Sequence, residues 1–165
     1  MVRSHWLPAY IGVGSNLDSP QVQVESGMAA IAELPKTRMI LRSSLYISKP
    51  LGPADQPDFI NAVVATLTQL DPLKLLEYLQ NIECRHGRER SEKWGPRTLD
   101  LDLLAVAGKV FNESHLTLPH PGIAERNFVL LPWQDVAPYF VVPKLGAVKD
   151  LAEKVSVKPE IRMIV

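Results

Sequence analysis

Two aspartates, Asp100 and Asp102, alternate with leucine over residues 99–104. Because side chains alternate between the two faces of a β-strand, this pattern predicts that the leucines enter the core and that both carboxylates lie on one face, about 7 Å apart. Carboxylates so placed would repel each other. A hard divalent cation such as Mg²⁺ removes this repulsion, because carboxylate and phosphate oxygens are its preferred ligands. The alternative is an amphipathic strand whose two aspartates face water.

The segment before these aspartates is rich in cations. Residues 85–97 contain five basic and two acidic residues together with Trp94, and the basic ones are Arg85, Arg88, Arg90, Lys93 and Arg97. Cations beside a metal-binding pair suit a nucleotide polyphosphate, since Arg donates paired hydrogen bonds to phosphate and a metal bridges phosphate oxygens. A solvated basic loop or a nucleic-acid-binding patch would have the same composition. The aspartates favour phosphate chemistry, because without metal they would repel a nucleic acid backbone.

Hydrophobic periodicity predicts the elements that must position these residues. Runs of β-branched and apolar residues predict strands over residues 9–13, 39–47, 59–67 and 99–106. Helical spacing predicts one helix over residues 19–34. A second helix is predicted to begin at Asp71-Pro72, with the Asp71 side chain as its cap and an apolar face formed by Leu75, Leu76, Leu79 and Ile82.

The order of these elements is β-α-β-β-α-β, which predicts an α+β fold of the ferredoxin-like type. In this arrangement an antiparallel sheet carries both helices on one face. The remaining chain is expected to form a C-terminal extension, with a hairpin strand after residue 109 and a helix near residues 124–131.

Composition limits the classes of protein to which the chain can belong. Its 165 residues predict one domain. Basic and acidic residues number 18 each, which argues against a general polyelectrolyte binder. The single cysteine, Cys84, cannot form an internal disulfide, which favours a reducing compartment. No apolar run reaches the roughly 18 residues of a membrane span. We therefore expect a cytoplasmic monomer that binds neither nucleic acid nor a membrane.

Residues 93–104, K-W-G-P-R-T-L-D-L-D-L-L, resemble the signature of the 6-hydroxymethyl-7,8-dihydropterin pyrophosphokinases of folate biosynthesis. Residues 9–17, 46–52, 55–62 and 118–130 resemble other segments of the same family, so the similarity covers about residues 8–140. It implies a single pyrophosphokinase domain over residues 1–165 with a ferredoxin-like core. It also implies transfer of pyrophosphate from ATP to the hydroxymethyl group of the pterin, with release of AMP.

The resemblance further implies roles for individual residues. Asp100 and Asp102 would hold two Mg²⁺ ions beside the reacting phosphates, and together with Arg88 and Arg97 they would form the catalytic group. The residues that would bind ATP are Gln80, Glu83, Arg88, Arg90, Lys93, Trp94, Arg97, His120 and Arg126. The pterin would lie between Phe59 and Phe128 and would also contact Ser48, Leu51, Asn61, Trp94 and Asp100.

Three features of the sequence depart from the family pattern. The stretch between Arg90 and Lys93 is one residue shorter than in well-known members. Lys93 stands where Arg is common, which keeps the charge but loses the planar guanidinium fork. Pro121 follows His120 where some members carry an aromatic residue. No role follows from the resemblance for Lys49.

A non-catalytic RNA-binding module on a ferredoxin-like sheet is the alternative function. Such a module presents aromatic and basic side chains on the central strands of its sheet. The strand predicted over residues 99–106, taken as a central strand, presents two aspartates instead. This pattern favours the enzyme.

Overall fold

An antiparallel sheet forms the centre of the computed structural model, which describes residues 5–52, 55–87 and 98–164. The strands are β1 (Leu7–Ser15), β2 (Thr37–Arg42), β3 (Tyr46–Ser48), β4 (Phe59–Thr68), β5 (Asp100–Val106), β6 (Phe111–Asn112), β7 (Thr117–Leu118), β8 (Val141–Val142), β9 (Gly146–Ala147) and β10 (Ile161–Met163). The helices are α1 (Pro20–Ala32), α2 (Pro72–Arg85), α3 (Asn127–Val136) and α4 (Val148–Lys154), and the 3-10 turn Ile123–Glu125 precedes α3. Among the described residues, no helix combines the length and apolar character needed to cross a bilayer.

The main sheet has the strand order β10-β3-β4-β1-β5, with β2 also paired to β4. The pairings recorded among its described strands are all antiparallel. Since α1 connects β1 to β2 and α2 connects β4 to β5, two split β-α-β units interleave in one sheet. This is the ferredoxin-like arrangement, so the predicted fold class is confirmed.

Helices cover both faces of this sheet. Ile11 of β1 packs in a core with α1 and α2 that includes Leu79. Its neighbour Tyr10 lies on the other face and packs with α3 and α4 around Trp133. Strand β4 is accordingly buried along nearly its whole length, as expected for a strand with helices on both sides. The C-terminal extension therefore supplies the second helical layer.

The alternation predicted for β5 is confirmed. Leu101 and Leu103 belong to the core beneath α1 and α2, whereas Leu104 belongs to the core beneath α3 and α4. Because alternate residues share a face, Asp100 and Asp102 lie on the α3 side. The expectation that this strand is central is wrong, since in the described part of the chain β5 pairs with β1 alone. Alternation fixes the faces of a strand but does not encode its place in the sheet.

The single strand predicted over residues 39–47 is two strands, β2 and β3. Ser43 lies between them, and its N–H donates to the carbonyl of Val63 at 2.9 Å. Its hydroxyl oxygen accepts a hydrogen bond from the Val63 N–H, also at 2.9 Å. A side-chain oxygen thus replaces the backbone carbonyl that a continuous ladder would use, and the strand is interrupted there.

Two predicted helix ends also differ from the structure. The Asp71 side chain makes no capping hydrogen bond. Pro72 at the first helical position has no N–H to satisfy, which reduces the need for a cap. The helix predicted near residues 124–131 is divided, because Arg126 adopts an extended backbone between the 3-10 turn and α3. After this interruption α3 continues to Val136.

Candidate active site

A cavity of about 230 Å³ lies on the α3 side of the sheet. Its floor is formed by Gly12 and Gly14 of β1, with Asn61 of β4 on one side and the β5 aspartates on the other. The register places Gly14 opposite both Asn61 and Asp100, and Gly12 opposite Asp102. A Cβ atom on Gly14 would lie 3.5 Å from Asn61 Oδ1. The two glycines therefore leave open space between polar side chains of the neighbouring strands.

Two aromatic side chains line this cavity from different elements. Phe59 begins β4, and Phe128 lies in the first turn of α3. Both are partly buried rather than sealed in the core. Aromatic walls with a few fixed polar groups are typical of sites for flat heteroaromatic ligands. Phe128 also packs against the core beneath α3 and α4, so the same ring contacts that core and lines the cavity.

Asn61 is a polar side chain of this cavity whose orientation is fixed by a hydrogen bond. Asn61 is 6% exposed and Ser48 is 3% exposed. The Asn61 amide donates a hydrogen bond to the Ser48 hydroxyl oxygen at 2.8 Å. This bond fixes the orientation of the amide, so that Oδ1 is turned towards Gly14. Asn61 thus presents a hydrogen-bond acceptor in a defined direction.

His120 lies beside the carboxylates at the other end of the cavity. Its Nε2 is 3.7 Å from Asp102 Oδ1. Its Nδ1 lies 2.8 Å from the carbonyl oxygen of Pro121, and because a carbonyl only accepts, the proton is on Nδ1. Burial is the main cause that lowers the pKa of His120, and the charge of Arg126 acts in the same direction, against the opposing effects of the Pro121 carbonyl and Asp100. At neutral pH, His120 is therefore an uncharged ring whose Nε2 can accept a hydrogen bond.

Arg126 completes this end of the cavity. Its guanidinium packs against Gly122, where an added Cβ atom would lie 3.0 Å from Arg126 Nε. Gly122 also has a φ of +82°, in the left-handed region that side-chain-bearing residues rarely adopt. Glycine is favoured at position 122 for two reasons: the backbone has a positive φ, and the Arg126 guanidinium fills the space that a side chain would occupy.

A second cavity of about 240 Å³ adjoins the first along β5. Asp102 and His120 line both cavities. The rest of the lining of the second cavity is mixed. The aliphatic side chains are Leu76, Leu101, Leu103 and Leu116, and the polar ones are Ser114, His115 and Thr117. The carboxylate and the imidazole therefore stand where the contents of the two cavities would meet.

Glu83 and Gln80 are placed differently. The Glu83 side chain is 5% exposed, and its Oε2 accepts a hydrogen bond from the Leu101 N–H at 2.8 Å. Gln80 is exposed on α2. Neither residue is among the described residues that line the two cavities. Glu83 instead contacts the strand at the residue between the two aspartates.

The structure brings nine of the predicted site residues into one cavity, namely Ser48, Leu51, Phe59, Asn61, Asp100, Asp102, His120, Arg126 and Phe128. Five others lie outside the described residues, so their roles stay predictions: Arg88, Arg90, Lys93, Trp94 and Arg97.

Sequence reasoning missed several residues that line the same cavity: Gly12, Val13, Gly14, Lys49, Ala62 and Val129. The alternate glycines at positions 12 and 14 were a usable signal, since a strand interior rarely carries two. Lys49 gave no signal, because a lysine after a strand is usually solvated. The structure places its ammonium 3.2 Å from Asp58 at the cavity edge.

The chain is similar to known proteins over most of its length. The family model described as 7,8-dihydro-6-hydroxymethylpterin-pyrophosphokinase (HPPK) matches residues 10–138. The 2-amino-4-hydroxy-6-hydroxymethyldihydropteridine pyrophosphokinase of Haemophilus influenzae is 43% identical over 148 residues, which cover 90% of this chain and 92% of that protein. The protein of the same name from Pseudomonas aeruginosa is 48% identical over 134 residues, covering 81% of this chain and 83% of the relative.

The fold resembles solved structures at much lower sequence identity. A crystal structure of HPPK-DHPS from Plasmodium falciparum with pteroate superposes with a TM-score of 0.71 at 13% identity. The match covers 99% of this chain but 47% of that one, so the present chain spans less than half the length of that protein. At this identity the likeness supports the fold and not the details of the site.

Proposed function

The chain belongs to the 7,8-dihydro-6-hydroxymethylpterin-pyrophosphokinase family, and from this membership we propose how its two cavities carry out the reaction. ATP donates a pyrophosphoryl group to the hydroxymethyl group of 6-hydroxymethyl-7,8-dihydropterin, with release of AMP, in folate biosynthesis. The observation that carries this assignment is that the paired aspartates line one cavity together with the expected pterin contacts, apart from Trp94, which lies outside the described residues. The family match lends no support to the alternative of an RNA-binding module.

The first cavity suits the pterin. A pterin is flat and aromatic, with hydrogen-bond donors and acceptors along one edge. Phe59 and Phe128 supply apolar surfaces for its faces. Asn61, fixed by Ser48, supplies a directed polar partner for its edge. With the ring so placed, the hydroxymethyl group would lie towards the end of the cavity that carries Asp100 and Asp102.

The second cavity suits the nucleotide. Its aliphatic side chains, among them Leu76 and Leu116, offer an apolar surface to the base. Asp102 and His120, shared by both cavities, then mark the path of the phosphates towards the pterin. Arg126 would hold phosphate oxygens there by charge-assisted hydrogen bonds. The neutral His120 would accept a hydrogen bond from a phosphate-bound water through Nε2.

Mg²⁺ is the metal that this site fits. Within residues 5–52, 55–87 and 98–164 no group of three or more His, Cys, Asp or Glu side chains could hold a metal ion by itself. Two carboxylates facing one cavity match the chemistry of Mg²⁺, which usually takes one or two protein carboxylates and completes its shell with phosphate and water. Asp100 and Asp102 would hold it. When bound there, Mg²⁺ would offset the negative charge of the phosphates during transfer.

The reaction then follows from the positions of these groups. The hydroxymethyl oxygen attacks the β-phosphorus of ATP, and the bond from the β-phosphorus to the α–β bridging oxygen breaks, so that AMP leaves. The proton of the attacking hydroxyl is released to solvent. The walls of the first cavity orient the attacking alcohol beside the phosphates, so that the step becomes effectively unimolecular. Arg126, together with Arg88 and Arg97 outside the described residues, would offset the negative charge on the phosphates.

We expect AMP and a pyrophosphorylated pterin as the products when the protein is mixed with ATP, Mg²⁺ and 6-hydroxymethyl-7,8-dihydropterin. The reason is that attack at the β-phosphorus leaves the α-phosphate on the nucleoside. Separation of the nucleotides by anion-exchange chromatography measures the outcome. ADP formed in proportion to consumed pterin would indicate attack at the γ-phosphorus and would contradict the assignment.

We expect Gly122→Ala to weaken the binding of a non-hydrolysable ATP analogue about tenfold, the result of losing about one charge-assisted phosphate contact. The new methyl group would push the Arg126 guanidinium from its place. Calorimetric titration in the presence of Mg²⁺ measures the Kd. Gly146→Ala is the matched control, since Gly146 also has a positive φ, +113°, but no atom of the described residues lies within 4 Å of its added Cβ. Equal loss of affinity in both variants would attribute the effect to backbone strain rather than to Arg126.

We further propose that residues 1–165 form one pyrophosphokinase domain, acting as a cytoplasmic monomer without nucleic acid. Beyond the matched residues 10–138, α4 packs with α3 in the same core and β10 pairs with β3. Equal numbers of acidic and basic residues and a single cysteine support the remaining expectations. Sedimentation equilibrium tests the monomer.

A further inference from the structure

The segment over residues 156–164 contacts two walls of the pterin cavity at once. Its strand β10 pairs with β3 in the register Ile161 opposite Ser48 and Met163 opposite Tyr46. The ladder is extended at both ends, by the Lys49 N–H donating to the Glu160 carbonyl at 3.0 Å and by a corresponding bond from residue 164 to residue 45. The segment therefore holds β3, which carries Ser48, in place. Because Ser48 fixes the Asn61 amide, the segment also supports the orientation of Asn61.

The same segment is attached to the opposite wall by one side chain. Asn127 is the first residue of α3 and is 1% exposed. Its Nδ2 donates to the carbonyl oxygens of Pro159 at 2.8 Å and of Ser156 at 3.2 Å. Both hydrogens of the amide are thereby used on the backbone of this segment.

The orientation of this amide is determined by its partners. If its oxygen and nitrogen were exchanged, Oδ1 would face two carbonyl oxygens and gain no hydrogen bond. In the orientation present, Oδ1 has no partner among the described residues, although it is buried. A buried acceptor without a partner is unfavourable. The Asn127 side chain thus makes both of its hydrogen bonds to the 156–164 segment, although this orientation leaves its own oxygen buried without a donor.

Asn127 stands between two residues of the cavity, Arg126 and Phe128. Its backbone cannot shift without moving Phe128, and its side chain is fixed to the segment that pairs with β3. This amide and the short β10 ladder therefore connect the start of α3, next to Phe128, to the strand that carries Ser48. At its other end α3 is joined to β3 directly, since the Tyr46 hydroxyl donates to the Asp135 carboxylate at 2.8 Å. A flat ring that fits between aromatic walls is sensitive to the spacing of those walls, because dispersion contacts weaken within a fraction of an ångström.

We propose that Asn127 is a positioning residue for the pterin: by fixing the 156–164 segment to the start of α3, it holds the walls that carry Ser48 and Phe128 at their separation on the Phe128 side of the cavity. This inference rests on the proposed function. Asn127 does not itself line the cavity. It acts through Phe128 and β3, so we expect its loss to weaken the binding of the pterin more than the binding of the nucleotide.

The test is Asn127→Ala, which removes both donors and leaves the carbonyls of Ser156 and Pro159 without their partner. We expect the Kd and the KM for 6-hydroxymethyl-7,8-dihydropterin to rise about tenfold, with the Kd of a non-hydrolysable ATP analogue changed by less than about twofold. Amide hydrogen exchange should become faster in β3 and β10 while β1 remains protected. A general loss of folded protein would lower the measured active fraction without raising the Kd for the pterin.

Thr66→Val is the matched control for the loss of a buried hydrogen bond. Thr66 is 1% exposed, and its hydroxyl donates to the Ala9 carbonyl at 2.9 Å, at the end of β4 away from the cavity. We expect this variant to lose stability and to keep the pterin Kd of the parent protein. If Asn127→Ala does not fold, Asn127→Ser, which keeps one donor, is expected to raise the pterin Kd to a smaller extent.

The outcomes separate this inference from the proposed function. An unchanged pterin Kd in the folded Asn127 variant, measured beside an active parent protein, would overturn the positioning role alone. Equal weakening of pterin and ATP analogue would also overturn it, because it would indicate a general effect. A parent protein that neither binds the pterin nor forms AMP would overturn the proposed function and with it this inference.

Discussion

Asp100→Asn and Asp102→Asn are each expected to lower kcat by about three orders of magnitude. The substitution keeps the size of the side chain but removes the charge that would hold Mg²⁺ at the reacting phosphates. Charge stabilisation by a bound metal contributes several kcal/mol to the transition state, and each 1.4 kcal/mol is about tenfold in rate. The measurement is AMP formation at saturating ATP and pterin, over a range of Mg²⁺ concentrations.

The fold should survive these substitutions. Asp100 and Asp102 are partly exposed in the cavity, whereas Leu101 and Leu103, which anchor the strand, remain unchanged in the core. We therefore expect the free energy of unfolding without ligand to change by less than about 1 kcal/mol, as for substitutions outside the core. Asp150→Asn on the surface of α4 is the control for a lost carboxylate. Turnover close to that of the parent protein in either cavity variant would remove that aspartate from the mechanism.

The sequence was sufficient to predict the two aspartates on one face, and the reason is local. In a β-strand the face of each residue is set by its position alone, so the pattern of residues 99–104 needed no information from the rest of the chain. The same holds for α2, which is strongly amphipathic, and for β4, which is a long apolar run. The amphipathic pattern of α1 is weaker, and Pro35 marks where its apolar spacing stops. These elements determine the fold class, and the structure agrees with that prediction.

What the sequence could not supply depends on contacts between distant residues. The interruption between β2 and β3 arises because the Ser43 hydroxyl oxygen accepts a hydrogen bond from the Val63 N–H. The β-propensity of the segment does not predict a hydrogen bond between residues that are so far apart in sequence. The edge position of β5 depends on the order of strands, which alternation does not encode. The second helical layer could have been predicted from β4. This strand is apolar at consecutive positions, as expected for a strand that is covered on both faces.

The same distinction applies to the site. The family resemblance identified residues that the structure brings together in one cavity, including Asn61 and Phe128. It could not show that two cavities meet at Asp102 and His120, because this follows from the packing of β5 beside residues 114–121. Nor could it indicate Asn127, whose partners are backbone carbonyls about thirty residues further along the chain.

Glu83→Ala is expected to lower kcat about a hundredfold, because it removes support from the strand that carries both aspartates. Glu83 lies on α2, and its carboxylate accepts the N–H of Leu101, the residue between Asp100 and Asp102. In the described part of the chain β5 has no strand on its outer side, so this carboxylate takes the place of a ladder partner there. Loss of the acceptor leaves a buried N–H unsatisfied, which costs about 1–3 kcal/mol of stability.

This expectation differs from the role that the family resemblance implies for Glu83 as an ATP contact, and two variants separate the roles. Glu83→Gln keeps an oxygen that can accept the Leu101 N–H, so a positioning role predicts that this variant recovers most of the stability and turnover. A direct contact to ATP through the carboxylate predicts that Gln and Ala are equally poor. Urea unfolding gives the stability, and titration with a non-hydrolysable ATP analogue gives the Kd. Glu77→Ala, which removes an exposed carboxylate of the same helix, is the control. A Glu83→Ala protein of unchanged stability that has lost only its affinity for the nucleotide would contradict the positioning role, since the strand would then hold its aspartates without Glu83.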